Sequence, residues 1–150
     1  VQVARARGAV VDTISSAHHD ELLQRLGAES RFDPDPAQWP ALAGRYHAVF
    51  DTTGKNLWAL RRTLAPAGRM VTISPAGIAA SVISRILPGP GIVFWSVKPS
   101  RTALDEVGAL VEAGRLSPVI RARFPLSEIA QAHALVETGH GEGKVVVDIS

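Results

Sequence analysis

A chain of 150 residues, 46% hydrophobic and 20% charged, carries enough apolar material for one domain with a core and reads as globular rather than disordered. Sixteen Lys and Arg against fourteen Asp and Glu leave a formal net charge of +2, with the basic residues scattered, so a nucleic-acid footprint is unsupported. Cysteine is absent, which excludes a disulfide framework or a cysteine zinc cluster within these residues and suits a reducing compartment; no stretch reaches the ~18 apolar residues of a membrane span.

Residues 1–8 (VQVARARG) read as the end of a helix. Residues 9–14 (AVVDTI) are β-branched and apolar, the pattern of a strand buried on both faces. Residues 18–27 (HHDELLQRLG) read as a helix with Leu22, Leu23 and Leu26 on one face and Gly27 at its end. A short strand follows at 30–33, then a loop marked by DPDP at 33–36 and by Pro40. Residues 47–51 (HAVFD) form a strand that ends in Thr52, Thr53 and Gly54. A helix over 56–64 stacks Leu57, Leu60 and Leu64 and stops at Pro66 and Gly68, before a strand at 69–74 (RMVTIS). A helix of small residues covers 78–86, and the PGPG turn at 88–91 breaks it.

Residues 92–97 (IVFWSV) form a strand rich in aromatics. Thr102 with Asp105 fits a capping box, heading a helix whose apolar stripe is Leu104, Val107, Leu110 and Val111 and which Gly114 ends. Residues 119–124 alternate apolar and basic, an extended segment with one wet face. Ser127 is placed to cap a helix that runs through Glu137, and KVVVDI at 144–149 is the last strand. Strands that alternate with helices over short connections argue for an α/β parallel sheet with helices on both faces.

Five stretches, VQVARARGA, LGAE, HAVFDTTG, LAPAGRMVTIS and FPLSEIAQAHALVETGHGEGKVVV, together resemble the medium-chain dehydrogenase/reductase superfamily, in particular its zinc-independent quinone oxidoreductase branch. The resemblance implies a Rossmann-like doubly wound parallel sheet that here lacks its first strand and glycine-rich loop. Residues 1–150 are then a partial NAD(P)-binding Rossmann domain, with a segment from about 116 to 150 returning toward a GroES-like catalytic domain outside this sequence. A glycine turn of the GGVG type is expected a few residues before Val1, and the chain is expected to be a fragment of a longer protein, inactive when isolated. The expected missing strand is the central one of the order 3-2-1-4-5-6, so the strands at 9–14 and 47–51 should each expose an unpaired apolar edge.

Site candidates cluster at strand ends. Ser15, Ser16, His18 and His19 follow the first strand, where a Rossmann fold holds the adenosine ribose. An acid at the strand tip would favour NAD; the tip here is Thr13, Ile14 and Ser15, with Asp12 earlier. Small hydroxyls and imidazoles leave room for a 2′-phosphate and can donate to it, and basic residues occur at the position of His19 in relatives that use NADPH. The plainer alternative is a capping serine followed by two solvated histidines. A tyrosine near Pro34 and a basic residue near Gly139, found in some relatives, are absent.

Thr52, Thr53 and Gly54, held by Asp51, and likewise Ser74 and Pro75, end strands where the resemblance implies the nicotinamide and its ribose. Phe94, Trp95, Ser96 and Val97 match a strand that borders the nicotinamide in the family, with core packing as the alternative. His133 reads as a packed helix residue, while His140, Gly141, Gly143 and Lys144 form a loop with a solvated lysine. No metal-ligand spacing appears. The expectation is an NADPH-dependent (NADH possible) cytoplasmic quinone oxidoreductase-like enzyme. Its substrate is a small molecule such as a quinone or enone, and the catalytic residues are left unassigned. It is expected to be a homodimer through the 92–97 strand. An enoyl reductase module, a zinc-dependent alcohol dehydrogenase portion, and a non-catalytic α/β binding or dimerisation fragment are the alternatives.

Overall fold

The computed structural model describes residues 1–96, 98–139 and 141–149. They divide into two compact units, one of Val1–Phe32 with Ser100–Ser150 and the other of Asp33–Pro99. Among the described residues every strand pair is parallel, and the strands form three small sheets.

The Asp33–Pro99 unit carries almost all of the buried core. Its sheet has the order β3 (Tyr46–Asp51), β4 (Leu64–Thr72), β5 (Gly91–Phe94). Helix α3 (Leu57–Arg62) joins β3 to β4, and α4 (Gly77–Ser84) joins β4 to β5, so each parallel pair has a helical crossover. Met70 on β4 is fully buried beside its cross-strand partner Ile92, and Leu57 and Leu60 from α3 are buried with them. Helix α4 is pinned at both ends. A Cβ on Gly77 would lie 2.1 Å from Thr72 Cγ2, so only glycine allows the approach there. At the other end Ser84 Oγ accepts from Ile92 N at 3.0 Å. Arg61 of α3 donates to the Pro88 and Pro90 carbonyls at 2.6 and 2.7 Å, which fastens the PGPG turn.

Two sequence expectations change in this unit. The DPDP segment does not run into an irregular loop: Pro36–Leu42 is a 3₁₀ helix, capped by Asp35 accepting from Ala37 N, and it buries Trp39 and Leu42. A proline at the first position suits such a start, because its missing N–H would have had no partner. Strand β4 also begins at Leu64, through Pro66 and Gly68, where the sequence suggested a helix stop. The register explains this. Tyr46 pairs with Leu64, but Ala48 pairs with Arg69, so the residues between them form an irregularity that accommodates the proline.

The other unit holds two separate two-stranded sheets. The first pairs β1 (Asp12–Ile14) with β2 (Ser30–Phe32), joined through a 3₁₀ turn at Ala17–His19 and α2 (Asp20–Arg25). Gly27, at φ +91°, ends this arm as the sequence predicts. The second pairs β6 (Ile120–Pro125) with β7 (Lys144–Asp148) around α6 (Ile129–Glu137). Helix α1 (Gln2–Ala6) meets the end of α5 (Arg101–Glu112) through Gln2, whose side chain bonds the Ser117 backbone at both N and O.

Here burial is lighter than the sequence suggested. Strand β1 is not buried on both faces: Ile14 is exposed, as is Val10 before it. Among the described residues β1 pairs only with β2, and β3 only with β4, so both are edge strands. The stripe of α5 is likewise uncovered, with Leu104 68% exposed and Val107 and Val111 also exposed. Ser100, not Thr102, caps α5, accepting from Ala103 N; the extended backbone after Pro99 puts its hydroxyl ahead of the first turn. Ser127 makes no cap, because it lies inside a 3₁₀ turn, Leu126–Glu128. The alternation on β6 does hold, with Ala122 and Phe124 partly covered and Arg121 and Arg123 exposed. Among the described residues no helix is long and apolar enough to cross a membrane.

Candidate functional site

In the Asp33–Pro99 unit the candidates converge because the sheet is in register. Asp51 pairs with Thr72, and Thr72 with Phe94. The segments after these residues (Thr52, Thr53 and Gly54; Ser74 and Pro75; Trp95 and Ser96) therefore leave the sheet side by side at its carboxyl edge. Open α/β sheets bind ligands outside that edge.

Asp51 ties the edge together. It is 5% exposed. Oδ1 accepts from Thr53 N at 3.1 Å and Thr53 Oγ1 at 3.0 Å, while Oδ2 accepts from Gly54 N at 2.9 Å and Thr72 Oγ1 at 2.6 Å. The Thr72 hydroxyl in turn accepts from Ser74 N at 3.2 Å, so one carboxylate holds the turns after β3 and β4 in a fixed relation. With its acceptor capacity spent on four bonds, Asp51 serves as a clamp for the turn, as the sequence suggested. Gly54 sits at φ +73°, and a Cβ there would lie 2.1 Å from Ser74 Oγ. The turn is glycine both for its backbone and for this close approach. Beside it an open groove of ≈ 480 Å³ runs between α3 and α4, lined by Gly54, Leu57, Trp58, Ala76, Ala80 and Ile83.

Phe94 closes β5 and is partly covered, whereas Trp95 is 62% exposed. Trp95 N donates to the Thr72 carbonyl at 2.9 Å, extending the ladder one residue past the strand. Core packing therefore does not account for Trp95. Strand β5 ends at Phe94, short of the expected 92–97, and Val97 lies outside the described residues.

The second group of candidates lies in the other unit. Ser15 N donates to the Phe32 carbonyl at 3.1 Å, and the Ser15 carbonyl accepts from Arg31 Nη1 at 2.9 Å. Arg31 is also ion-paired with Asp20. Ser16 precedes the Ala17–His19 turn without a side-chain capping bond, so its hydroxyl is not spent as a cap. His18 and His19 lie with ring centroids 3.8 Å apart, and His19 Nδ1 lies 3.1 Å from Glu142 Oε1. Because a carboxylate only accepts, His19 Nδ1–H donates. Glu142 was missed by sequence reading; the available signal was an acid between two glycines just before the last strand. His133 is on α6, while His140 lies outside the described residues.

An open parallel α/β sheet with turns converging at its carboxyl edge is the class of domain that binds ligands outside that edge. The family model described as zinc-binding dehydrogenase matches residues 26–147, and the chain belongs to that family, within the medium-chain dehydrogenase/reductase superfamily. It is 30% identical over 139 residues to an NADPH-dependent alkenal/one oxidoreductase, chloroplastic, of Arabidopsis thaliana, covering 91% of this chain and 33% of that protein. It is 27% identical over 175 residues to a mitochondrial NAD(P)H oxidoreductase of Danio rerio, covering 99% of this chain and 45% of that one. The quinone oxidoreductase of Coxiella burnetii superposes with a TM-score of 0.73 at 26% identity, over 100% of this chain and 48% of its own. The chain thus has the Rossmann-like fold and spans less than half the length of these relatives. Among the described residues no group of three or more His, Cys, Asp or Glu is placed to hold a metal ion, so they offer no donor set for zinc.

Proposed function

We propose that this chain is the cofactor-binding part of an NAD(P)H-dependent oxidoreductase that delivers hydride to a quinone, an enone or another activated double bond. The observation that carries the reading is the alignment of Asp51, Thr72 and Phe94, which sets three candidate turns along one sheet edge. Family membership and the names of the relatives support it. The residues fit a nicotinamide: Gly54 lets the turns after β3 and β4 close up against each other at the edge, and Trp95 offers an exposed apolar face. When bound, a reduced nicotinamide supplies the hydride, and the protein orients the partners. In this reading Thr52, Thr53 and Gly54 border the nicotinamide ribose, with the Thr52 hydroxyl as the donor, while Thr53 and Gly54 N–H stay on Asp51. Ser74 and Pro75 present backbone to the carboxamide, and Phe94 and Trp95 wall the ring.

Ser15, Ser16 and His19 take the adenosine end. NADPH is the preferred cofactor in this reading, because hydroxyls and imidazoles there can donate to a 2′-phosphate. A cysteine-free sequence suits a reducing compartment, and the cytoplasm is the one this reading takes; the relatives above carry mitochondrial and chloroplastic names. The edge position of β5 among the described residues, where Val93 is exposed, supports a homodimer through the 92–97 segment. That same edge is what favours the second reading, a dimerisation module without catalysis.

The test is calorimetric titration of the intact protein with NADPH and NADH, followed by consumption of the reduced cofactor with a quinone and with an enone. Binding with turnover is the expected result. A folded protein that binds neither cofactor would overturn the reading and leave the dimerisation module.

A further inference from the structure

The loop between α6 and β7 brings an acid to the adenosine candidates. Gly141 and Gly143 have φ of +130° and +89°; a Cβ would lie 2.3 Å from the Arg121 guanidinium carbon at the first and 2.6 Å from the Val119 carbonyl oxygen at the second. Lys144 N donates to that same carbonyl at 2.8 Å, so the loop's path is set against the start of β6. Between the two glycines, Glu142 reaches His19 at 3.1 Å, with the two side chains 33% and 31% exposed. The pair is open enough to exchange partners and covered enough to resist full screening.

The donors around the turn already have partners: His19 Nδ1 lies on Glu142, and Arg31 is paired with Asp20 and bonded to the Ser15 carbonyl. A ribose 2′-phosphate arriving at Ser15, Ser16 and His19 would need the His19 imidazole and would meet a carboxylate already on it. Like charges at such range repel. A ribose 2′-hydroxyl is neutral and donates readily to a carboxylate.

We propose that Glu142 is a specificity-determining residue of the adenosine site, which competes with a 2′-phosphate for His19 and so lowers the preference for NADPH over NADH. The inference rests on the cofactor reading above and deepens it. Its substance is a competition between two anions for one imidazole.

The test uses binding by the intact protein, with adenosine 2′,5′-bisphosphate and 5′-AMP as probes of the adenosine end beside NADPH and NADH. Glu142→Gln keeps the shape and an acceptor but removes the charge. It should tighten the bisphosphate and NADPH on the order of tenfold while 5′-AMP and NADH stay level or weaken. Glu142→Asp, which keeps the charge, should retain the wild-type preference. With His19→Ala already in place, Glu142→Gln should lose most of its effect. Equal changes for phosphorylated and unphosphorylated ligands would show a merely structural role and overturn the proposal, as would weaker bisphosphate binding by Glu142→Gln. Wild-type protein that binds no ligand of either kind would instead sink the cofactor reading itself, a result distinct from an unshifted preference.

Discussion

Asp51→Asn is the sharpest test of how the sheet edge is held. The substitution conserves shape, but one carboxylate oxygen becomes an NH₂ group. If that group replaces Oδ2, it faces Gly54 N; if it replaces Oδ1, it faces Thr53 N. Either way one backbone N–H loses its acceptor, at about 1–3 kcal/mol for a buried donor. The surviving bonds also pass from charge-assisted to neutral, and such bonds are roughly half as strong. Together the expected cost is about 3 kcal/mol, or a fall in Tm of roughly 6–12 °C for a chain of this size. Urea unfolding followed by tryptophan fluorescence is the suitable assay, because Trp39, Trp58 and Trp95 all belong to the Asp33–Pro99 unit. The signal therefore reports the unit that carries the clamp. A loss below about 1 kcal/mol with an unchanged m value would refute the clamp, since the four bonds would then contribute almost nothing.

Three further outcomes follow from the same geometry. Gly54→Ala forces a Cβ to 2.1 Å from Ser74 Oγ at a positive φ, so it should destabilise by about 1–3 kcal/mol and weaken cofactor binding; adding Ser74→Gly should recover part of the loss in calorimetry and melting. Ser84→Ala removes the acceptor of Ile92 N and should cost about 1–3 kcal/mol in urea unfolding. His19→Ala should weaken NADPH far more than NADH in paired titrations, and equal loss for both would remove the 2′-phosphate role of His19.

Much of the sheet could be read from the chain because its strands are apolar and end in unmistakable turns. HAVFD followed by TTG gave β3 and its turn, and PGPG placed the start of β5 within one residue. The misreadings have specific causes. Pro66 and Gly68 look like breakers, yet the irregular pairing between Tyr46 and Ala48 lets β4 pass through them. Thr102 looked like a cap because capping is recognised by spacing; the hydroxyl that precedes the turn belongs to Ser100. Leu104, Val107 and Val111 declare an amphipathic helix, but periodicity carries no information about what covers the stripe.

The candidate turns were legible because a parallel α/β order fixes which strand ends share an edge. The bond from Asp51 to Thr72, and from Thr72 to Ser74, was not, since it joins two strands through side chains whose meeting depends on register. Glu142 was hidden for a similar reason: it lies 123 residues from its partner His19, and no local pattern links them.

The most direct measurement is amide NMR on the labelled intact protein during titration with NADPH. Shifts should concentrate at Thr52, Thr53, Gly54, Ser74 and the Trp95 backbone and indole N–H groups, while Gly68, Arg69, Gly89 and Gly91 at the opposite strand ends stay still. Shifts gathered at those opposite ends, or none anywhere in a folded protein, would contradict the placement of the nicotinamide at the carboxyl edge.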